Sequence, residues 1–137
     1  MATVLWFRRD LRRHDNPALL AAAQTSAAAD GEVVPLFVVD PVLWDPAGPV
    51  RRACLAAALR GLDAALDGRL LVLHGDPRLV VPEVALAAGA REVHVAEDAG
   101  PYGRRRDQEV EAGLAADEVT LVRTGSPYAV TPGRVRK

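Results

Sequence analysis

VLWFRRDLRRHDNPALLAAA, residues Val4 to Ala23, decides the fold class. The run Val4–Phe7 is short, apolar and suited to a buried strand, and Asn16-Pro17 is a helix start. A strand passing through a short loop into a helix is the opening unit of an α/β domain. When such a loop wraps a dinucleotide phosphate it is made of small residues, above all glycine. Here it holds Arg8, Arg9, Asp10, Arg12, Arg13 and His14. Long arginines in place of small residues argue against a loop of that kind.

The same alternation continues along the chain. Strands are predicted over Thr3–Phe7, Val33–Val39, Leu70–His74, Glu92–Ala96 and Glu118–Val122. Helices are predicted over Pro17–Ala29, Val50–Leu66, Pro77–Ala88 and Pro101–Ala116. The strands are almost continuously apolar, which suits a parallel sheet covered on both faces. Asp76-Pro77 repeats the Asn16-Pro17 start signal, and Gly89 stands where a left-handed residue closes a helix. These features predict an α/β, Rossmann-like, doubly wound five-stranded parallel sheet with right-handed crossovers. Pro35 conflicts mildly with its strand and fits a strand start or an edge. The domain is expected to span residues 1–122. Residues 123–137 lack periodicity, contain Gly125, Pro127, Pro132 and Gly133, and read as the start of a linker in something longer.

The chain has 137 residues, half of them hydrophobic, and a formal net charge of −1. That size supports one core, and that charge gives no broad positive field for nucleic acid or anionic membrane. No apolar run approaches the roughly 20 residues of a membrane span, and the first apolar stretch, short and followed rather than preceded by arginines, is not expected to be a signal peptide. Cys54 is the single cysteine, which rules out an internal disulfide and fits a reducing, cytoplasmic setting.

In an open parallel sheet, ligands bind beyond the carboxyl ends of the strands, near the point where the winding reverses. That edge is expected to comprise residues 8–15, 40–49, 74–76, 97–100 and 123–126. Each candidate there has a functional and a structural reading. Arg8 either faces an anionic or conjugated ligand, or braces the loop through pairs such as Arg8–Asp10 and Arg12–Asp15. Asp40 leads the segment that carries Trp44, and Trp44 either stacks on a flat ligand or covers the sheet edge. Arg51 and Arg52 open a helix, where positive charge opposes the dipole. A partner is therefore expected for one of them, with Asp45 the structural choice. Asp98 either accepts a hydrogen bond from a bound ring or, with Glu97, caps the next helix. Arg104, Arg105 and Arg106 point in different directions on a helix, and Arg104 with Asp107 has the spacing of a surface pair.

Metal and catalytic constellations do not form. His14, His74 and His94 have no ligand spacing, and His94 reads as a satisfied core residue. Cys54 reads as a small buried hydrophobe. No Walker, dinucleotide or nucleophile-elbow motif occurs, which disfavours P-loop ATPases, NAD dehydrogenases and α/β-hydrolases.

Several segments resemble the photolyase/cryptochrome family. Trp6-Phe7-Arg8-Arg9-Asp10-Leu11-Arg12 with Asp15-Asn16-Pro17-Ala18-Leu19 is similar to its opening signature. In family order follow Leu36–Pro41, Leu73–Pro77, Pro101–Asp107 and Thr124–Tyr128. The resemblance spans essentially the whole chain. It implies the N-terminal antenna domain of a DNA photolyase, an enzyme that splits cyclobutane pyrimidine dimers with blue light. FAD, the lesion pocket and contact with UV-damaged DNA would then belong to a helical C-terminal domain, the partner of this one. The present segment would not be catalytic alone.

The resemblance also bears on the pigment. Folate-antenna members carry an Asn-Glu pair at the positions of Tyr102 and Gly103. Losing that carboxylate would leave a pterin edge without its acceptor, at a cost of about 1–3 kcal/mol. The sequence here is more similar to members that use 8-hydroxy-5-deazaflavin, with FMN or methenyltetrahydrofolate as lesser alternatives. By that resemblance Asp98 would bond the ring, with Arg51 or Arg52 beside it. Two other readings stay open: a cryptochrome-type light receptor, and a free-standing nucleotide- or flavin-binding domain. Against adenylyl-transferase versions of the last stands the lack of SGG-x-DS and H-x-G-H stretches.

Overall fold

The winding of the sheet reverses beside its first strand, and this is what creates a crevice. The structure is a computed structural model that describes residues 2–8, 11, 16–28, 31–97 and 100–124. Its elements are β1 (Ala2–Phe7), α1 (Pro17–Ala28), β2 (Glu32–Val39), α2 (Pro41–Trp44), α3 (Pro49–Ala65), β3 (Leu71–His74), α4 (Pro77–Ala88), β4 (Glu92–Val95), α5 (Pro101–Ala115) and β5 (Thr120–Arg123). The five strands lie in the order β3-β2-β1-β4-β5, and every pairing is parallel. The expected doubly wound α/β sheet is what the chain forms.

Alternation along β1 divides the core. Val4 and Trp6 face α4 and α5, joined by Leu36, Val38, Val81, Val93, Val95, Val110 and Leu114. Leu5 and Phe7 face the opposite layer with Ala18, Ala22, Phe37 and Leu62. Each large apolar side chain so buried contributes about 1.5–3 kcal/mol.

Local signals act as their chemistry requires. Asn16 Oδ1 accepts from Leu19 N at 3.1 Å, and Asp76 Oδ1 accepts from Arg78 N at 3.0 Å. Gly89 closes α4 at φ 67°. Gly75, at φ 154°, turns β3 into α4 where a Cβ would stand 2.9 Å from Val80 Cγ2. Pro35 causes no break, because β3 pairs with β2 only from Leu36 onward, so Pro35 lies on a stretch with β1 as its one neighbour.

Four expectations need correction. The strand expected from Glu118 begins at Thr120, because Glu118 adopts a left-handed φ of 59° and Val119 N bonds back to Leu114 O. Cys54 is exposed, not buried: the inward face of α3 is Leu55, Leu59 and Leu62, and Cys54 sits one position off that stripe. His94 is buried in the core as expected, but neither ring nitrogen has a hydrogen-bond partner. Helix α2 forms where no helix is expected from the sequence. Among the described residues no helix is long and apolar enough to cross a membrane.

Candidate functional site

The carboxyl ends of β1 and β2 open into a cavity of about 440 Å³, closed by α2, the start of α3 and the start of α5. That volume lies within the range of about 300–1,000 Å³ typical of small-molecule sites. Its position beside the β1/β4 boundary is the winding reversal at which open α/β sheets bind ligands. Arg8, Asp40, Trp44, Arg51 and Tyr102 all line it, as do Trp6, Phe37 and Arg106.

Asp40 closes β2 and caps α2, its Oδ1 accepting from Val42 N at 3.0 Å. Its other oxygen accepts from the hydroxyl of Tyr102 on α5, so one carboxylate joins the two walls. Burial, followed by this bond and the charge of Asp40, pushes the Tyr102 phenol up to about 12.

Arg8 leaves β1 and donates to Asp107 Oδ1 and to the carbonyl of Ala96. Arg106 Nε donates to the same carboxylate oxygen at 3.3 Å. Both guanidinium groups lie over the Trp6 ring, at 5.0 Å for Arg8 and 5.2 Å for Arg106. Arg106 also stands 5.6 Å from the Tyr102 ring centre. Asp107 is therefore turned inward and paired with Arg8 and Arg106, instead of forming the expected surface pair with Arg104. Positions 103, 106, 107, 110 and 114 form one buried face of α5, and that periodicity is present in the sequence. So is the four-residue spacing that lays Arg106 on Tyr102.

The two arginines that open α3 divide. Arg51 lines the cavity. Arg52 is absent from its lining and donates to the carbonyls of Trp44 at 3.0 Å and Asp45 at 2.9 Å, with its guanidinium 5.0 Å from the Trp44 ring centre. It thus secures the C-terminal end of α2, and its partner at Asp45 is the backbone rather than the carboxylate. Asp98, like Arg9, Asp10, Arg12, Arg13, His14 and Asp15, lies outside the described residues, as does the expected linker from Gly125 onward.

Aromatic rings and guanidinium groups thus share the lining of one crevice. No cluster of three His, Cys, Asp or Glu suited to a metal ion occurs among the described residues.

The sequence model of the family described as DNA photolyase matches residues 3–137. This chain belongs to that family. The deoxyribodipyrimidine photo-lyase of Streptomyces griseus is 40% identical over 140 residues, covering 96% of this chain and 30% of that protein. Cryptochrome DASH of Natronomonas pharaonis is 38% identical over 121 residues, covering 81% of this chain and 25% of its own. A bacterial class III photolyase from Agrobacterium tumefaciens superposes with a TM-score of 0.82 at 27% identity, over 98% of this chain and 28% of that one. The chain thus spans less than a third of each of these relatives and corresponds to their α/β portion.

Proposed function

We propose that this photolyase-family domain is a light-harvesting module that holds a planar pigment in the cavity at the carboxyl edge of the sheet. The observation that carries this reading is the lining itself: Trp6, Phe37, Trp44 and Tyr102 with Arg8, Arg51 and Arg106 around one crevice. A ring system gains from stacking and from cation–π contacts, and needs few directional bonds to fix its orientation. Energy transfer asks for a fixed orientation and no nucleophile.

The pigment favoured is 8-hydroxy-5-deazaflavin. Tyr102 and Gly103 occupy the positions at which folate-antenna members resemble one another in an Asn-Glu pair, and Tyr102 is already engaged with Asp40. Arg51 is the cation available at the rim, and Asp98 is the carboxylate that the family resemblance assigns to the ring. In the whole protein, a further FAD-bearing domain would use the delivered excitation to repair UV-damaged DNA. A light-receptor role of the cryptochrome type shares this antenna step and differs only downstream.

Fluorescence titration of the chain with 8-hydroxy-5-deazaflavin, FMN and methenyltetrahydrofolate tests the assignment. Saturable binding of the deazaflavin, weakened by about 1–3 kcal/mol in Asp98→Ala, is expected. Preference for the folate, or no binding of any of the three, would refute it. Light-dependent dimer repair by a protein carrying both domains separates photolyase from receptor.

A further inference from the structure

Both tryptophans of the chain and its one described tyrosine line the same cavity, and an arginine lies over each ring. Trp6 has Arg8 at 5.0 Å and Arg106 at 5.2 Å, Trp44 has Arg52 at 5.0 Å, and Tyr102 has Arg106 at 5.6 Å. Among the side chains of the cavity wall, indoles most readily give up an electron without also losing a proton, and both line the space where a photoexcited ring would rest. From the reading of the site as a pigment pocket, on which this inference rests, a hazard follows. An indole in van der Waals contact with an excited flavin-type ring can give it one electron. The indole becomes a radical cation, the pigment a radical anion, and recombination returns both to the ground state with the excitation lost as heat.

We propose that Arg8, Arg106 and Arg52 keep Trp6 and Trp44 from donating an electron to the excited pigment, so that the excitation survives for transfer. The physical basis is the sign of the interaction. A guanidinium over a neutral indole is attracted to its electron-rich face. Removing an electron turns that attraction into repulsion between two cations at about 5 Å, in surroundings less polar than water. Trp6 is 2% exposed, so solvent screens little of this. Asp107 orients Arg8 and Arg106 by accepting from both. Bracing alone would not require a cation at both tryptophans, one in the core and one at the rim.

The test reads the excited-state lifetime of FMN or 8-hydroxy-5-deazaflavin bound to the whole chain, at saturation established by titration. In the unaltered chain, Trp6→Phe and Trp44→Phe are expected to leave the lifetime nearly unchanged, because neither indole quenches. Arg52→Ala and Arg106→Leu are expected to at least halve it, because the like-charge repulsion that opposes oxidation of the indole is then removed. Trp44→Phe and Trp6→Phe added to the respective arginine variants should restore it, a recovery that a bracing role would not produce. If either phenylalanine variant alone lengthens the lifetime severalfold, the shielding inference falls while the pigment reading stands. If neither pigment binds, the pigment reading falls and takes this inference with it. Because the phenylalanine variants keep every arginine, the test holds whether or not Arg106→Leu folds.

Discussion

Arg8 at the end of β1 is bonded to Asp107 on the second turn of α5, 99 positions away, and both side chains are almost wholly buried. The bond fastens the central strand to the helix that carries Tyr102 and Arg106, so cavity geometry and domain stability share a single fastening. A buried ion pair is costly to break from one side, because the orphaned charge stays in a poorly solvated place. Asp107→Asn should therefore lose about 3–5 kcal/mol in urea unfolding. The triple variant Arg8→Met, Arg106→Leu and Asp107→Leu, which removes every charge of this cluster, should lose less than the single one. Equal losses would mean that the pair is solvated and adds little.

The link between Tyr102 and Asp40 has a signature at high pH. The Tyr102 phenol is pushed from 10 up to about 12, chiefly by burial and then by its bond to Asp40. Between those values the unfolded chain gives up a proton that the folded chain keeps. The contribution to stability is thus complete below pH 10 and is lost as pH rises toward 12. Ultraviolet titration of Tyr128→Phe, which leaves Tyr102 as the single tyrosine, should show the delayed ionisation. Adding Asp40→Asn should move it back toward 10. An ordinary titration curve in Tyr128→Phe itself would contradict the bond.

His94 predicts the opposite flank. Burial depresses its pKa below the ordinary 6.5, and the carboxylate of Glu92, 3.7 Å away, only partly offsets this. Above pH 6.5 the ring is neutral in both states and costs nothing electrostatically. Below it the unfolded chain binds a proton that the folded chain resists, so stability declines as the solution is acidified. Thermal melts should show a steeper fall between about pH 6.5 and 5 for the natural chain than for His94→Leu. Replacing a ring whose nitrogens are unpaired should also leave the neutral-pH stability equal or raised. Parallel pH profiles for the two proteins would exclude His94 as the cause.

The two sides of the cavity differ in how firmly they are anchored. Helix α5 buries Gly103, Arg106, Asp107, Val110 and Leu114, whereas α3 buries Leu62 alone and α2 buries nothing. Amide hydrogen exchange should accordingly be faster along α3 than along α5, by about tenfold or more. Saturating FMN should slow the first turn of α3 while leaving α5 unchanged. Equal protection of the two helices in the free chain would contradict the burial pattern.

Much of this architecture is legible in short-range chemistry. Asn16-Pro17, Asp76-Pro77 and Gly89 announce helix ends through bonds that span two to five residues, and the apolar runs announce parallel strands because both faces are covered. Arg8, Asp40, Trp44, Arg51 and Tyr102 follow once the sheet order fixes which loops share an edge. What escapes is set by distance or by brevity. Arg8 finds Asp107 rather than a neighbour, and no local rule reveals a partner that far along the chain. Four residues of α2 are too few to show a helical period. Cys54 and the inner leucines of α3 differ by one position on a helix whose exposed face is also rich in alanine, so composition points the wrong way.

The uneven anchoring of α3 and α5 makes the crevice a vice with one fixed jaw and one sprung jaw. A guest is gauged for thickness against the fixed jaw, and differences in its outline are taken up by the sprung one. In the proposed role, pigments of unlike girth would seat on the same frame through changes confined to Leu43, Trp44 and Arg51, which line the cavity on its α2 and α3 side, with the sheet and its central fastening left as they are.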